Sequence, residues 1–173
     1  MAGVEGVAGQ AGVVSAASDI IGTLTARGLT IAVAESLTGG LLVAELVSVP
    51  GASAVVNGGV VAYATELKAT VLGVDRGLLA ERGPVDAEVA RQMARGVRER
   101  LAVGGRPAAI GLATTGVAGP DGQDGHPVGE VWLGLAIGDR VEARGLRLGG
   151  DRAAIRSATV TESLAWLADV LAE

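Results

Sequence analysis

The sequence predicts an α/β domain with a mixed, mostly parallel sheet covered by helices on both faces. Short apolar runs of strand length (LTIAVA, GGVVAY, AAIGLAT) alternate with segments of helical period, the pattern of strands buried on both sides and joined by helical crossovers. Two further runs, Val128 to Ile137 and Val141 to Leu148, alternate apolar with small or polar residues around Gly138-Asp139. That is a hairpin signal and makes the sheet mixed.

The elements follow in order. Residues 1–15 (MAGVEGVAGQAGVVS) are rich in Gly, Ala and Val; without the basic start and long apolar core of a signal peptide, they read as a flexible N-terminal arm before a domain over 16–173. Ser18 or Asp19 opens a helix that turns Ile20, Ile21 and Leu24 to the core and ends near Gly28. Leu29 to Ala34 forms the first strand. Glu35-Ser36-Leu37-Thr38-Gly39-Gly40 connects it to the helix LLVAELVS, stopped by Pro50-Gly51. Gly58 to Tyr63 is the second strand, and Thr65 caps the helix ELKATVLGV, which puts Lys68 in its first turn. Asp86 caps a helix in which Val89, Met93, Val97 and Leu101 recur every four residues. Ala108 to Thr114 is the third buried strand, running into TGVAGPDGQDGHP. After the hairpin, Asp151 caps a last helix carrying Ile155, Leu164, Leu167 and Leu171. No repeat and no linker divides the chain.

Composition excludes several functions. A net charge of −5 and a pI near 4.9 argue against a phosphate-tracking nucleic-acid binder. Every apolar run is broken before the roughly 18 residues of a membrane span. With no Cys and one His, His126, there is no thiolate site, no His-rich metal site and at most one His for a serine triad. A cytosolic protein needing no metal or cofactor fits these counts. Lys and Arg total 14, yet Lys68 is the one lysine, five residues from the one tyrosine, Tyr63. Lysine can do what arginine cannot, namely lose its proton when desolvated and act as a base.

In such sheets ligands bind beyond the carboxyl ends of the parallel strands. ESLTGG, YATELK and TTGVAGPDG follow the buried strands and are expected to converge there. Ser36 sits before two glycines and a helix N-terminus, where N–H groups favour an oxyanion or phosphate; Ser36 or Thr38 could equally serve only as a cap. A Lys beside that loop could take the serine proton, with Tyr63 relaying it or holding substrate, since Ser-Lys pairing activates serine without histidine. Thr115, Gly116 and Gly119 suit a phosphate or sugar, though the loop lacks a P-loop ending and could be a plain turn. Arg152 and Arg156 share a helix face and could clamp phosphate or simply be solvated. Glu35 could orient Lys68 or face outward. A dehydrogenase would need Tyr-x3-Lys on one helix and a Gly-rich cofactor loop; here the spacing is Tyr-x4-Lys across a strand–helix junction.

VAESLTGGLLVAELVSVPGAS, GGVVAYATELKATVLGV, TTGVAGPDG, PVGEVWLGLA and GDRAAIR occur in this order. Together they resemble the CinA C-terminal domain family, whose characterised members are nicotinamide-nucleotide amidases. The resemblance implies a three-layer α/β/α domain, often dimeric, that hydrolyses the carboxamide of nicotinamide mononucleotide without metal. It implies Ser36 as nucleophile assisted by Tyr63 and Lys68, with Thr115 and Arg152 in the site; Glu35, Thr38, Gly39, Gly40, Gly116 and Gly119 are the remaining substrate-binding candidates. The chain departs from the family pattern at Gly83-Pro84-Val85-Asp86 and in a shorter loop with His126 where lysine is common. The pyrophosphatase activity of the N-terminal domain found in some members is not expected. The alternative is a non-catalytic nucleotide-binding module linked to DNA uptake or damage.

Overall fold

A computed structural model describes the backbone of residues 5–173 and the side chains of residues 16–173. Its strands are β1 (Ile31–Glu35), β2 (Val56–Val61), β3 (Ile110–Gly116), β4 (Glu130–Ile137) and β5 (Arg140–Arg147). They form one sheet in the order β2-β1-β3-β4-β5. β1 pairs in parallel with β2 and β3, whereas β3–β4 and β4–β5 are antiparallel. This is the expected mixed sheet, with helices on both sides.

Strand alternation gives the two faces different sizes. Ile31, Val33, Ile110, Leu112, Leu133 and Leu135 point to one side, where they pack with Ile20, Ile21 and Leu24 of α1 (Glu5–Arg27), Leu42 and Leu46 of α2 (Leu41–Val47), and Ile155, Leu164 and Leu167 of α6 (Arg152–Ala172). Ala32, Ala34, Ala113 and Ala136 point to the other, against Val89, Met93, Ala94 and Val97 of α5 (Ala87–Arg100). Gly111 and Gly134 belong to that small face. A Cβ on Gly111 would lie 1.9 Å from the Ala94 carbonyl oxygen, and one on Gly134 would lie 2.0 Å from that of Ala90. Helix α5 therefore rides directly on the strand backbone.

The chain differs from its sequence reading in a few elements. Helix α1 starts at Glu5, earlier than Ser18 or Asp19, while residues 1–4 of the expected arm lie outside the described residues. α3 covers only Thr65–Thr70, and Thr65 is its first helical residue; the N-cap is Ala64, with no side-chain bond. Unforeseen is α4 (Arg76–Arg82), capped by Asp75, whose carboxylate accepts from Leu78 N. Asp86 and Asp151 cap α5 and α6 as expected.

The chain passes from β1 to β2 on one side and then to β3 on the other. A crevice opens where the order reverses, beyond the carboxyl ends of β1 and β3.

The tight α5 contact yields a test. Gly134→Val is expected to lower the midpoint of thermal unfolding severely, with a loss above about 3 kcal/mol from overpacking against backbone. Gly22→Ala, in α1 with nothing within 4 Å of a new Cβ, is expected to stabilise by about 0.5–1 kcal/mol.

Candidate active site

Three loops meet at the crevice. A cavity of about 340 Å³ lies there, lined by Ser36 and Leu37 after β1, Tyr63, Ala64, Thr65 and Lys68 after β2, Thr115 to Gly119 at the end of β3, Pro84 and Val85 before α5, and Arg152 of α6. Its size falls in the roughly 300–1,000 Å³ range of small-molecule sites.

Its centre is a serine–lysine pair. Ser36 N donates to Thr114 O at 3.0 Å, which anchors the serine where the β1–β3 ladder ends. Lys68 Nζ lies 3.0 Å from Ser36 Oγ and 2.8 Å from the Ala62 carbonyl oxygen. Ala62 is itself fixed, its N–H donating to Glu35 O at 2.8 Å. Lys68 is 1 % exposed, and among the described residues no carboxylate lies within ion-pair distance of it. Burial without a counter-charge disfavours the ammonium and pushes its pKa down to about 8. Lys68 is the fourth residue of a six-residue helix and belongs to its last turn as well as its first.

Glu35 neither faces outward nor orients Lys68 by charge. It is fully buried, and its carboxylate accepts from Gly40 N and Leu42 N at 3.0 Å and Val43 N at 2.8 Å. These donors would otherwise be the free N–H groups of α2. The N-terminus of α2 is thus occupied by the protein's own anion, and neither Ser36 nor Thr38 caps it. Gly40, the N-cap, has φ 104°, a conformation that suits glycine. Thr38 is buried on Thr114, with 2.8 Å between the hydroxyl oxygens. Glu35, Thr38, Gly39 and Gly40 build the turn and are not among the residues lining the cavity.

The other candidates do reach the cavity. Thr115 Oγ1 donates to Pro84 O at 2.6 Å, tying β3 to the segment before α5. Tyr63, 60 % exposed, stands at the mouth. Its hydroxyl accepts from Arg152 Nη2 at 2.9 Å, and Arg152 Nη1 donates to Gly119 O at 2.7 Å. Because Lys68 meets Ser36 directly, no phenol relay is needed between them. Arg156 does not join Arg152 in a clamp; it donates to the Leu37 and Thr38 carbonyls instead. His126 is turned to Glu130, with Nδ1 3.2 Å from Oε2, and does not line the cavity. The sequence reading missed Thr114 and Pro84, which support the site through contacts 76 to 78 and 31 residues away along the chain.

The fold and crevice define a small α/β domain with a binding cleft at the carboxyl ends of its parallel strands. The chain belongs to the CinA C-terminal domain family, whose model matches residues 13–171. It is similar to the CinA-like protein of Frankia casuarinae, 52% identical over 89% of this chain and 36% of the relative. It is also similar to the CinA-like protein of Geobacter sulfurreducens, 48% identical over 82% of this chain and 33% of the relative. The chain therefore spans about a third of the length of these curated relatives. Among solved structures, the competence/damage inducible protein CihA of Agrobacterium tumefaciens superposes with a TM-score of 0.86 at 36% identity, covering 94% of this chain and 96% of that one. A competence or damage-inducible protein of Enterobacter asburiae gives 0.87 at 30% identity, covering 92% and 98%.

The buried amine makes stability depend on pH. The folded pKa lies below the usual 10.5, so the unfolded chain binds the extra proton between about pH 8 and 10.5, and stability rises with pH across that window. Below pH 8 the full penalty, about 3 kcal/mol, is present. Lys68→Met abolishes this dependence: its unfolding free energy relative to wild type is expected to be most favourable below pH 8 and to fall by about that amount toward pH 10.5, as measured by urea titrations at each pH.

Proposed function

We propose that this chain hydrolyses the carboxamide of nicotinamide mononucleotide to nicotinate mononucleotide and ammonia. The single observation that carries the reading is the 3.0 Å contact of Ser36 Oγ with an amine that has no counter-ion among the described residues. With its pKa near 8, roughly one amine in ten is neutral at pH 7 and able to accept a proton.

Ser36 Oγ attacks the carboxamide carbon while its proton passes to Lys68 Nζ. The tetrahedral intermediate collapses as the ammonium returns that proton to the leaving nitrogen. Ammonia departs and an ester to Ser36 remains. Water, losing its proton to Lys68, attacks the ester; acid is released and the serine hydroxyl restored. Arg152 has no carboxylate partner among the described residues and faces the mouth beside Tyr63, a placement that suits the substrate phosphate. Tyr63 then assists by holding the substrate. Family membership supports the reading, and with it a role in pyridine nucleotide salvage in the cytoplasm.

A homodimer is part of the proposal. β2 is an edge strand ending in exposed Val61, and Leu41 and Leu67 are also exposed, a surface a second copy could cover. Sedimentation equilibrium is expected to give twice the chain mass, and Val61→Glu to shift it toward the monomer.

Ammonia release from nicotinamide mononucleotide is the direct assay. Ser36→Ala and Lys68→Met are each expected to lower turnover by roughly 10²–10⁴-fold. In the wild type, kcat/KM is expected to rise with pH through an apparent pKa near 8 and then level off. Nucleotide binding by calorimetry without ammonia release would instead favour a non-catalytic binding module.

A further inference from the structure

Arg156 is half-buried on α6, and among the described residues its guanidinium hydrogen-bonds only to backbone: Nε donates to Leu37 O at 2.8 Å and Nη2 to Thr38 O at 3.1 Å. These are the two middle residues of the turn that begins at Ser36, closed by Gly39 N donating to Ser36 O at 3.1 Å. Among the described residues, neither Leu37 N nor Thr38 N donates a hydrogen bond. Unpaired N–H groups beside a nucleophilic serine are the usual components of an oxyanion hole, the residue after the nucleophile foremost.

Peptide geometry links the two facts. A peptide unit is planar and trans, so a carbonyl held one way turns the next N–H the opposite way. Ser36 O is held inside the turn by Gly39 N, so the Leu37 N–H of the same peptide points out of the turn, and Leu37 lines the cavity. The anion that could compete for these donors, Glu35, is already engaged at Gly40, Leu42 and Val43.

We propose that Arg156 is a positioning residue that fixes the Ser36 turn so that the Leu37 N–H group, on the cavity wall, receives the negative charge developing on the substrate oxygen. The inference rests on the serine-nucleophile reading. It gives the arginines of α6 separate tasks one helical turn apart: Arg152 faces the ligand, Arg156 the backbone of the catalytic turn.

The test follows both ammonia release and phosphonylation of Ser36 by an alkyl fluorophosphonate, read by intact mass. In the latter, Oγ bonds to phosphorus, fluoride leaves and Lys68 takes the proton, so the same oxyanion donors are used with no nucleotide bound. Arg156→Gln is expected to slow both kcat and phosphonylation by roughly 10–100-fold, with KM changed less than about twofold and the apparent pKa near 8 retained. Guanidinium ion added to Arg156→Ala is expected to restore part of the rate, and Arg156→Lys, checked for folding by circular dichroism, to fall between. Wild-type rates in Arg156→Gln would overturn the proposal. So would a raised KM with unchanged kcat for the nucleotide and no defect with nicotinamide riboside, because Arg156 would then be holding phosphate. If wild-type protein is phosphonylated but releases no ammonia, the substrate reading fails and the positioning role is judged on phosphonylation alone; no phosphonylation of the wild type overturns both.

Discussion

An amine sealed from water with only neutral oxygens around it governs this molecule. Among the described residues Lys68 meets a hydroxyl and a carbonyl and no carboxylate, so the fold bears the cost of an ill-solvated ammonium at neutral pH. That cost is tolerable because the amine is held by the sheet itself. The Ala62 carbonyl it touches belongs to a residue whose own N–H donates to Glu35 O at the end of β1, one residue before the serine. Lysine, serine and the pairing of two parallel strands thus form one unit, and misplacing any part would leave a buried polar group unsatisfied.

Glu35 and Arg156 perform complementary work around that unit. The carboxylate takes up the free N–H groups at the start of α2, and the guanidinium takes up the carbonyls of the turn just before it. Both ions spend their hydrogen bonds on backbone. The turn carrying Ser36 is consequently held from both ends by charge-assisted bonds, the stronger kind, and needs no ligand to set its shape.

Much of this was legible in the sequence. Period-two alternation and glycine-bounded runs gave the strands, and Asp86 and Asp151 gave helix starts through side-chain capping that acts within three residues. Lys68 stood out because it has no duplicate in the chain. What escaped notice was either too short or too distant. α4 offers only Leu78 and Leu79 as large apolar residues, too few for a period. Glu35 caps from five to eight residues ahead of its donors, outside the usual N-cap spacing. Arg156 reaches carbonyls 118 and 119 residues away, a relation set by tertiary packing alone, and among thirteen interchangeable-looking arginines (14 basic residues less Lys68) nothing local distinguishes it.

The unequal faces of the sheet bear on the cleft in a way its wall residues do not disclose. Because strand glycines let α5 settle onto the backbone, the segment leading into that helix sits low enough for the Pro84 carbonyl to reach Thr115. The gauge of the cleft is therefore set by the missing methyl groups of Gly111 and Gly134, deep in the interior. Added bulk there would lift one wall away from the other, altering which ligands fit without changing a single atom that touches them.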